Sequence, residues 1–394
     1  MAAYKARTGD LDLLYEKNVR KFLGNRRKVN KGIEATIEKY PERFGLYNNG
    51  ITIVTEKVVR KDNDILSLTN PFIVNGCQTT RSIWLVLQRR LNSGGTSPNE
   101  TQIEWQGRLS KSVVITKIVV VGNEGEELLT ETTRYTNSQN AVSDKDFIAL
   151  EKDFRSWAPQ FNSRYGVFLE IQRGAWEARK ALQRQNPLAL PHYEEAAYAF
   201  DLLKAYAAGW LCEPGIAFGK NPPFAPGGSF FHKITSGDSF GVDDLYAAFL
   251  IQKLAGMYGF GRGAKQPSRG QTRYLFMMIV VDLVKDFLIN SQLSYGHRDI
   301  SLAIQKLQKG GYLGDIGDAA VQVVDDYLTD GNEDSLFLEP EFQKMKDLNA
   351  FLKSERLGKT DEFSPRLRTQ IALAKKLFRK SAPLDKMRGA VAVS

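Results

Sequence analysis

Asn75-Gly76-Cys77-Gln78-Thr79-Thr80 stands where an apolar run, Pro71-Phe72-Ile73-Val74, gives way to helical spacing at Thr80, Trp84, Leu87 and Leu91. Gly76 permits a tight turn or a left-handed backbone that a side chain would forbid. The first-turn amides of the following helix carry partial positive charge and suit a phosphate or carboxylate. Thr79 and Thr80 add hydroxyl donors, and Arg81 adds a guanidinium fork. Asn75 and Gln78 each offer a donor and an acceptor to a base or ribose edge. The architectural alternative is that Asn75 closes the turn while Gln78 or Thr79 caps the helix. One strand–turn–helix does not decide between them.

Two more carboxamide-rich segments bear on that choice, Asn48-Asn49-Gly50-Ile51-Thr52 and Thr136-Asn137-Ser138-Gln139-Asn140. Alone, the first reads as a type I′ hairpin turn and the second as a helix end followed by a polar turn. Together they predict one ligand site built from Asn48, Asn49, Gly50, Asn75, Gly76, Gln78, Thr79, Thr80, Arg81, Asn137, Gln139 and Asn140. Arg173 is expected to neutralise ligand charge there.

Other chemistries find less support. His192, His232 and His297 are scattered without ligand spacing, so no metal site is expected. Cys77 and Cys212 lie far apart, which fits a reducing compartment rather than a disulfide scaffold. A helix start would lower the thiol pKa of Cys77, but no histidine lies near it in sequence, and a packing role is expected. Asp144, Asp146 and Asp153 read as solvated helix faces, and Glu170-Ile171-Gln172 only echoes a Glu-x-Lys nuclease strand. No catalytic residue is named and no cofactor is evident, although a hydrolase would call for Mg²⁺ or a nucleotide.

Charge gives the third signal. Lysine and arginine number 54 against 45 acids, a net charge of +9 that favours a polyanion such as DNA or RNA. The expected phosphate contacts are Arg26, Arg27, Lys28, Arg89, Arg90, Arg262, Lys265, Arg269 and Arg273, each run also readable as a plain solvated face. Tyr47, Trp84, Tyr135 and Trp176 lie near basic stretches and could stack on bases.

The elements that position these residues divide at about residue 188. Residues 1–188 predict a mixed α/β domain. In it, 9–23 is helical, Asn30 caps a second helix carrying Ile33, Ile37 and Tyr40, and FGLYNNGITIV (44–54) forms a strand–turn–strand hairpin. Strands at 57–59 and 65–68 flank an Asp62-Asn63-Asp64 turn, and 112–122 is a central strand because it is β-branched and nearly all apolar. Another strand falls at 165–172. Residues 189–394 predict a helical domain, with helices at about 193–211, 241–257, 272–290, 299–309, 318–329, 341–353 and 363–380. The most apolar stretch, 275–289, contains Asp282, Lys285 and Asp286, so it predicts a buried helix and not a membrane span. The opening residues lack the apolar segment of a secretory signal, and a cytoplasmic protein is expected.

Four segments in order, YEKNVRKFLGNRRKVNKGIEATIEKYPERFGLYNNGITIV, NPFIVNGCQTTRSI, TNSQNAVSDKDF and YGVFLEIQRG, resemble the AIPR family, the abortive-infection phage-resistance proteins of bacteria. The resemblance covers about residues 10–180 most closely and implies phage defence. IVNGCQTTRSI is also similar to the D-G-Q-H-R and D-G-Q-Q-R signatures of ParB-like restriction and DNA-modification regulators, whose strand–turn–helix lines a nucleotide or nucleic-acid site. Here Asn75 replaces the aspartate and Thr79-Thr80 the basic pair, while Gln172 stands where family members tend to carry a basic residue. The likeness therefore implies an α+β fold, a ParB-like core followed by a helical domain, that binds rather than cuts. The alternatives are a nucleotide hydrolase or metal-dependent nuclease of a restriction-like system, and an adaptor subunit of a defence complex. DNA or RNA, a protein of the same defence operon and a second copy of the chain are the implied partners, with no membrane.

Overall fold

Strand β1 (Ile51–Thr55) is the centre of the first half, with β4 (Phe72–Asn75) antiparallel on one side and β5 (Thr116–Val120) parallel on the other. The structure is a computed structural model that describes residues 11–18, 28–62, 65–92, 102–122, 125, 128–129, 131–133, 144–185, 187–188, 191–219, 221–237, 240–261, 269–270, 272–329 and 365–392. Alternation along the strands sends successive side chains to opposite faces. Val54 and Val74 join Leu129 in one apolar cluster, whereas Ile53 and Ile73 pack with Leu11, Leu14, Tyr15 and Cys77 in another. Both faces of this small sheet are thus covered.

Between β1 and β4 the chain makes the expected hairpin, β2 (Lys57–Asp62) with β3 (Ile65–Thr69), paired Val58↔Leu68 and Val59↔Ser67. Helix α1 (Lys28–Lys39) is followed by a short helical turn, α2 (Phe44–Tyr47), and α3 (Cys77–Asn92) follows β4 directly. Ile33 and Ile37 of α1 meet Phe44, Val86 of α3 and Trp105 of α4 (Gln102–Leu109). The Trp105 indole donates to the Ile37 carbonyl at 3.1 Å, so the buried ring has its polar atom satisfied.

Four expectations for this half need correction. The described part of 9–23 is not a helix but a single 3₁₀ turn at Asp12–Tyr15. No strand precedes Gly50: residues 44–47 wind into α2, because Phe44 is buried against Ile33 and Ile37. The Asn-Gly pair is therefore a helix-to-strand turn and not a hairpin. Residues 112–122 do not form a central strand either. β5 is the edge of the sheet among the described residues, and Val113 and Ile115 just before it are 62% and 61% exposed. Asn30 is not a cap, since α1 already begins at Lys28 and the Asn30 side chain is buried in its first turn.

Contacts divide the chain into two units, Met1–Ala158 with Glu170–Ala196, and Pro159–Leu169 with Ala197–Ser394. Helices α5 (Lys152–Tyr165) and α6 (Ala175–Gln185), the short strands β6 (Phe168–Glu170) and β7 (Ala196–Tyr198), and 3₁₀ turns at Asp12–Tyr15, Pro41–Arg43 and Asp144–Leu150 complete the described elements before residue 199. Thereafter the described chain is helical: α7 (Ala199–Gly209), α8 (Pro214–Phe218), α9 (Ser229–Thr235), α10 (Val242–Met257), α11 (Arg273–Asn290), α12 (His297–Gly310), α13 (Leu313–Thr329), α14 (Pro365–Ser381) and α15 (Leu384–Ala392). The helix expected at 341–353 lies outside the described residues.

Helix α11 packs against α7, α8, α10, α12, α13 and α14, and almost its whole length from Tyr274 to Leu288 is buried. That surround explains a segment apolar on all sides. The two aspartates that interrupt it are met by α14: Lys375 reaches Asp282 at 2.7 Å and Arg379 grips Asp286 at 2.6 Å. Among the described residues no helix is long and apolar enough to cross a membrane.

Candidate functional site

Gly50 and Gly76 bring two of the three carboxamide segments side by side. Both have left-handed backbones, φ 76° and 92°. A Cβ on Gly76 would lie 3.0 Å from the Gly50 carbonyl oxygen and 2.5 Å from Ile51 Cγ2. The Ile51 amide donates to the Ile115 carbonyl at 2.9 Å, which pins the Gly50 turn to the chain entering β5. Thr52 of β1 also faces Asn75 of β4 in the strand register. Close backbone packing at two glycines thus places Asn48 and Asn49 beside Asn75 and the start of α3, and the helix dipole is directed at this corner.

The side chains of the corner divide into inward and outward groups. Thr80 is 7% exposed; its hydroxyl donates to the Gly76 carbonyl at 2.9 Å and accepts the Tyr15 phenol at 2.9 Å. Burial pushes the Tyr15 phenol up, so it stays protonated and donates. Thr79 is buried too, and Cys77 sits in the apolar cluster with Tyr15 and Ile73, the packing role expected of it. Gln78 accepts from the Asn30 amide at 2.8 Å, which ties α1 to α3. Asn48 donates to the Phe44 carbonyl at 3.1 Å and so closes α2. Asn49 is exposed and, among the described residues, makes no side-chain hydrogen bond. Tyr47 beside it is 59% exposed, whereas Trp84 and Trp176 pack inward. Exposed Asn49 and Tyr47 are therefore the groups this corner presents, with half-buried Asn75 beside them.

The charged residues expected at the site are engaged within the protein. Arg81 pairs with Asp12 and lies over the Tyr15 ring at 4.7 Å. Arg173 reaches the buried Asp146 carboxylate at 3.7 Å. Asn137, Gln139 and Asn140 lie outside the described residues. Sequence reasoning did not anticipate the buried amides that brace the corner. Asn18 donates to the Ile73 carbonyl at 3.0 Å, and Gln172 donates to the Asn18 carbonyl. Glu170, the echo of a nuclease strand, accepts the Gly174 and Trp176 amides at 3.1 and 2.8 Å and caps α6. Burial pushes its carboxyl up.

Four of the basic residues expected to track phosphate, Arg89, Arg90, Arg269 and Arg273, show the same engagement. Arg89 lies between Glu34 and Glu38, at 3.1 and 3.0 Å, and Arg90 stacks on Trp105 at 5.1 Å. Arg269 pairs with Asp325 at 2.9 Å and donates to the Tyr258 carbonyl. Arg273 lies over Phe218 and Tyr274 and donates to the Gly270 carbonyl. Lys28 opens α1, while Arg26, Arg27, Arg262 and Lys265 fall outside the described residues. Among the described residues no three His, Cys, Asp or Glu side chains gather as metal ligands would.

Comparison with protein families matches residues 15–299 to the description AIPR protein. The chain belongs to the AIPR family. The match covers most of the chain and includes the paired glycine turns and α1 through α11. The family abbreviation, for abortive infection phage resistance, points this AIPR protein towards phage defence. No curated protein and no solved structure matches it.

Proposed function

We propose that this AIPR protein acts in phage defence by binding a nucleotide or nucleic acid at the paired turns Asn48–Gly50 and Asn75–Gln78, on a ParB-like strand–turn–helix formed by β4, Gly76 and α3. The reading rests on the adjacency of the two turns across Gly50 and Gly76. Family membership supports the biological role. Asn49 and Asn75 read the polar edge of the ligand, Tyr47 offers a ring for a base to stack on, and the start of α3 faces phosphate. Asn137, Gln139 and Asn140 belong to the same site in this proposal.

The test is a titration of the full chain with fluorescent nucleotides and with single- and double-stranded DNA and RNA. Asn49→Ala and Asn75→Ala are each expected to weaken the ligand that binds by about tenfold, the equivalent of one good hydrogen bond at about 1.4 kcal/mol. Binding that both variants leave unchanged, or no binding to any of these ligands, would sink the reading.

A further inference from the structure

Residues 365–392 contain eight lysines and arginines against a single acid, Asp385, so this short stretch carries seven of the nine excess positive charges of the chain. They fall on α14 and α15, and the structure sorts seven of them, all but Arg366, into two sets. Lys375 and Arg379 turn inward to Asp282 and Asp286 of α11 and lock α14 in place. Arg368, Lys376, Lys380, Lys386 and Arg388 are exposed, and among the described residues none of the five makes an ion pair. Lys376 and Lys380 are four residues apart, hence on one helix face about 6 Å apart along the axis. Lys386 and Arg388 follow on α15 after the short Ala382-Pro383 connection.

We propose that this outer face of α14 and α15 is the surface on which nucleic-acid backbone docks. The inference rests on the nucleic-acid reading above and gives it a different contact surface from the Arg89 and Arg269 regions, whose cations are already paired. Charge complementarity selects the partner: an array of unpaired cations on a rigid support attracts phosphates and releases their counterions. A lipid surface fits less well. An interfacial helix needs an apolar face to insert, and here Ile371, Ala374, Phe378 and Met387 are buried in the protein. The exposed Leu373 and Leu377 line a groove of about 260 Å³ against α13 rather than a continuous apolar face.

The test titrates the wild-type full chain and the variant K376Q/K380Q/K386Q/R388Q with a short DNA duplex, a single-stranded RNA and phosphatidylserine vesicles over a series of salt concentrations. Neutralising four contacts should lower the slope of log affinity against log salt by roughly three to four on duplex DNA, and low-salt affinity by roughly a hundredfold. The charge-conserving K376R/K380R/K386R/R388K should bind as wild type does, which separates charge from folding. Unchanged affinity and slope in the glutamine variant, while Asn49→Ala loses binding, overturns this surface and leaves the paired-turn reading intact. Loss in the glutamine variant with Asn49→Ala and Asn75→Ala unaffected supports this surface and overturns the turns. Loss of vesicle binding alone also overturns the proposal.

Discussion

Gly76 stands against Gly50 with no room for a side chain: its Cβ would approach the Gly50 carbonyl oxygen to 3.0 Å and Ile51 Cγ2 to 2.5 Å. Gly76→Ala must therefore meet both a left-handed backbone penalty of about 1–3 kcal/mol and a clash with the backbone of β1. Gly122→Ala is the control, since Gly122 is left-handed as well, φ 68°, but has nothing within 4 Å of a Cβ. Urea unfolding should show a clearly larger loss for Gly76→Ala. Equal losses would mean that the two turns are not packed as described.

Thr80 and Tyr15 form the inner wall of the same corner, and their bond is buried. Thr80→Val removes the acceptor of the phenol and Tyr15→Phe removes its donor, each at a cost of about 0.5–1.5 kcal/mol for one buried hydrogen bond. The double variant should cost less than the sum of the two, because both singles break one bond. Ligand affinity should stay unchanged throughout, and a loss of affinity as large as that of Asn49→Ala would move Thr80 into the ligand-facing set.

Arg89 offers the opposite kind of control. Its guanidinium is shared by Glu34 and Glu38 on α1, so little of its charge is left for phosphate. Arg89→Gln should leave DNA and RNA affinity and salt slope as in wild type, with a stability loss of about 1 kcal/mol for a half-exposed guanidinium. A slope reduced by nearly one would show that Arg89 meets a phosphate after all.

These cases separate what local sequence carries from what it does not. β4, Gly76 and α3 are legible because the apolar run, the glycine and the helical spacing are consecutive, and the β2–β3 hairpin is legible for the same reason. The Asn48-Asn49-Gly50 turn misleads because the Asn-Gly rule is local, whereas the burial of Phe44 against α1 is not. β1 takes its parallel partner from Thr116–Val120, a pairing that no periodicity announces. Charge behaves alike. The cations of residues 365–392 can be counted in the sequence, but which of them face Asp282 and Asp286 depends on how α14 lies on α11. The pairing of Arg89 likewise depends on a helix about fifty residues away.

Asp244 gives the helical half a pH signature with a definite sign. It is 2% exposed, accepts the Ser301 hydroxyl at 2.6 Å and the Gly241 amide at 3.0 Å, and so both caps α10 and ties it to α12. Burial raises its carboxyl above the ordinary 3.8, outweighing those two hydrogen bonds, with Asp243 adding to the rise and Arg298 opposing it. Across the window above 3.8 the folded chain thus holds this proton more firmly than the unfolded chain. Linkage then makes the Asp244 contribution favourable at low pH and diminishing as pH rises through its folded value. Asp244→Asn cannot titrate, so unfolding free energy of wild type minus that of the variant should fall from pH 3.5 towards neutrality. A difference that rises with pH would mean that the hydrogen bonds of Ser301 and Gly241 hold the carboxylate in its charged form.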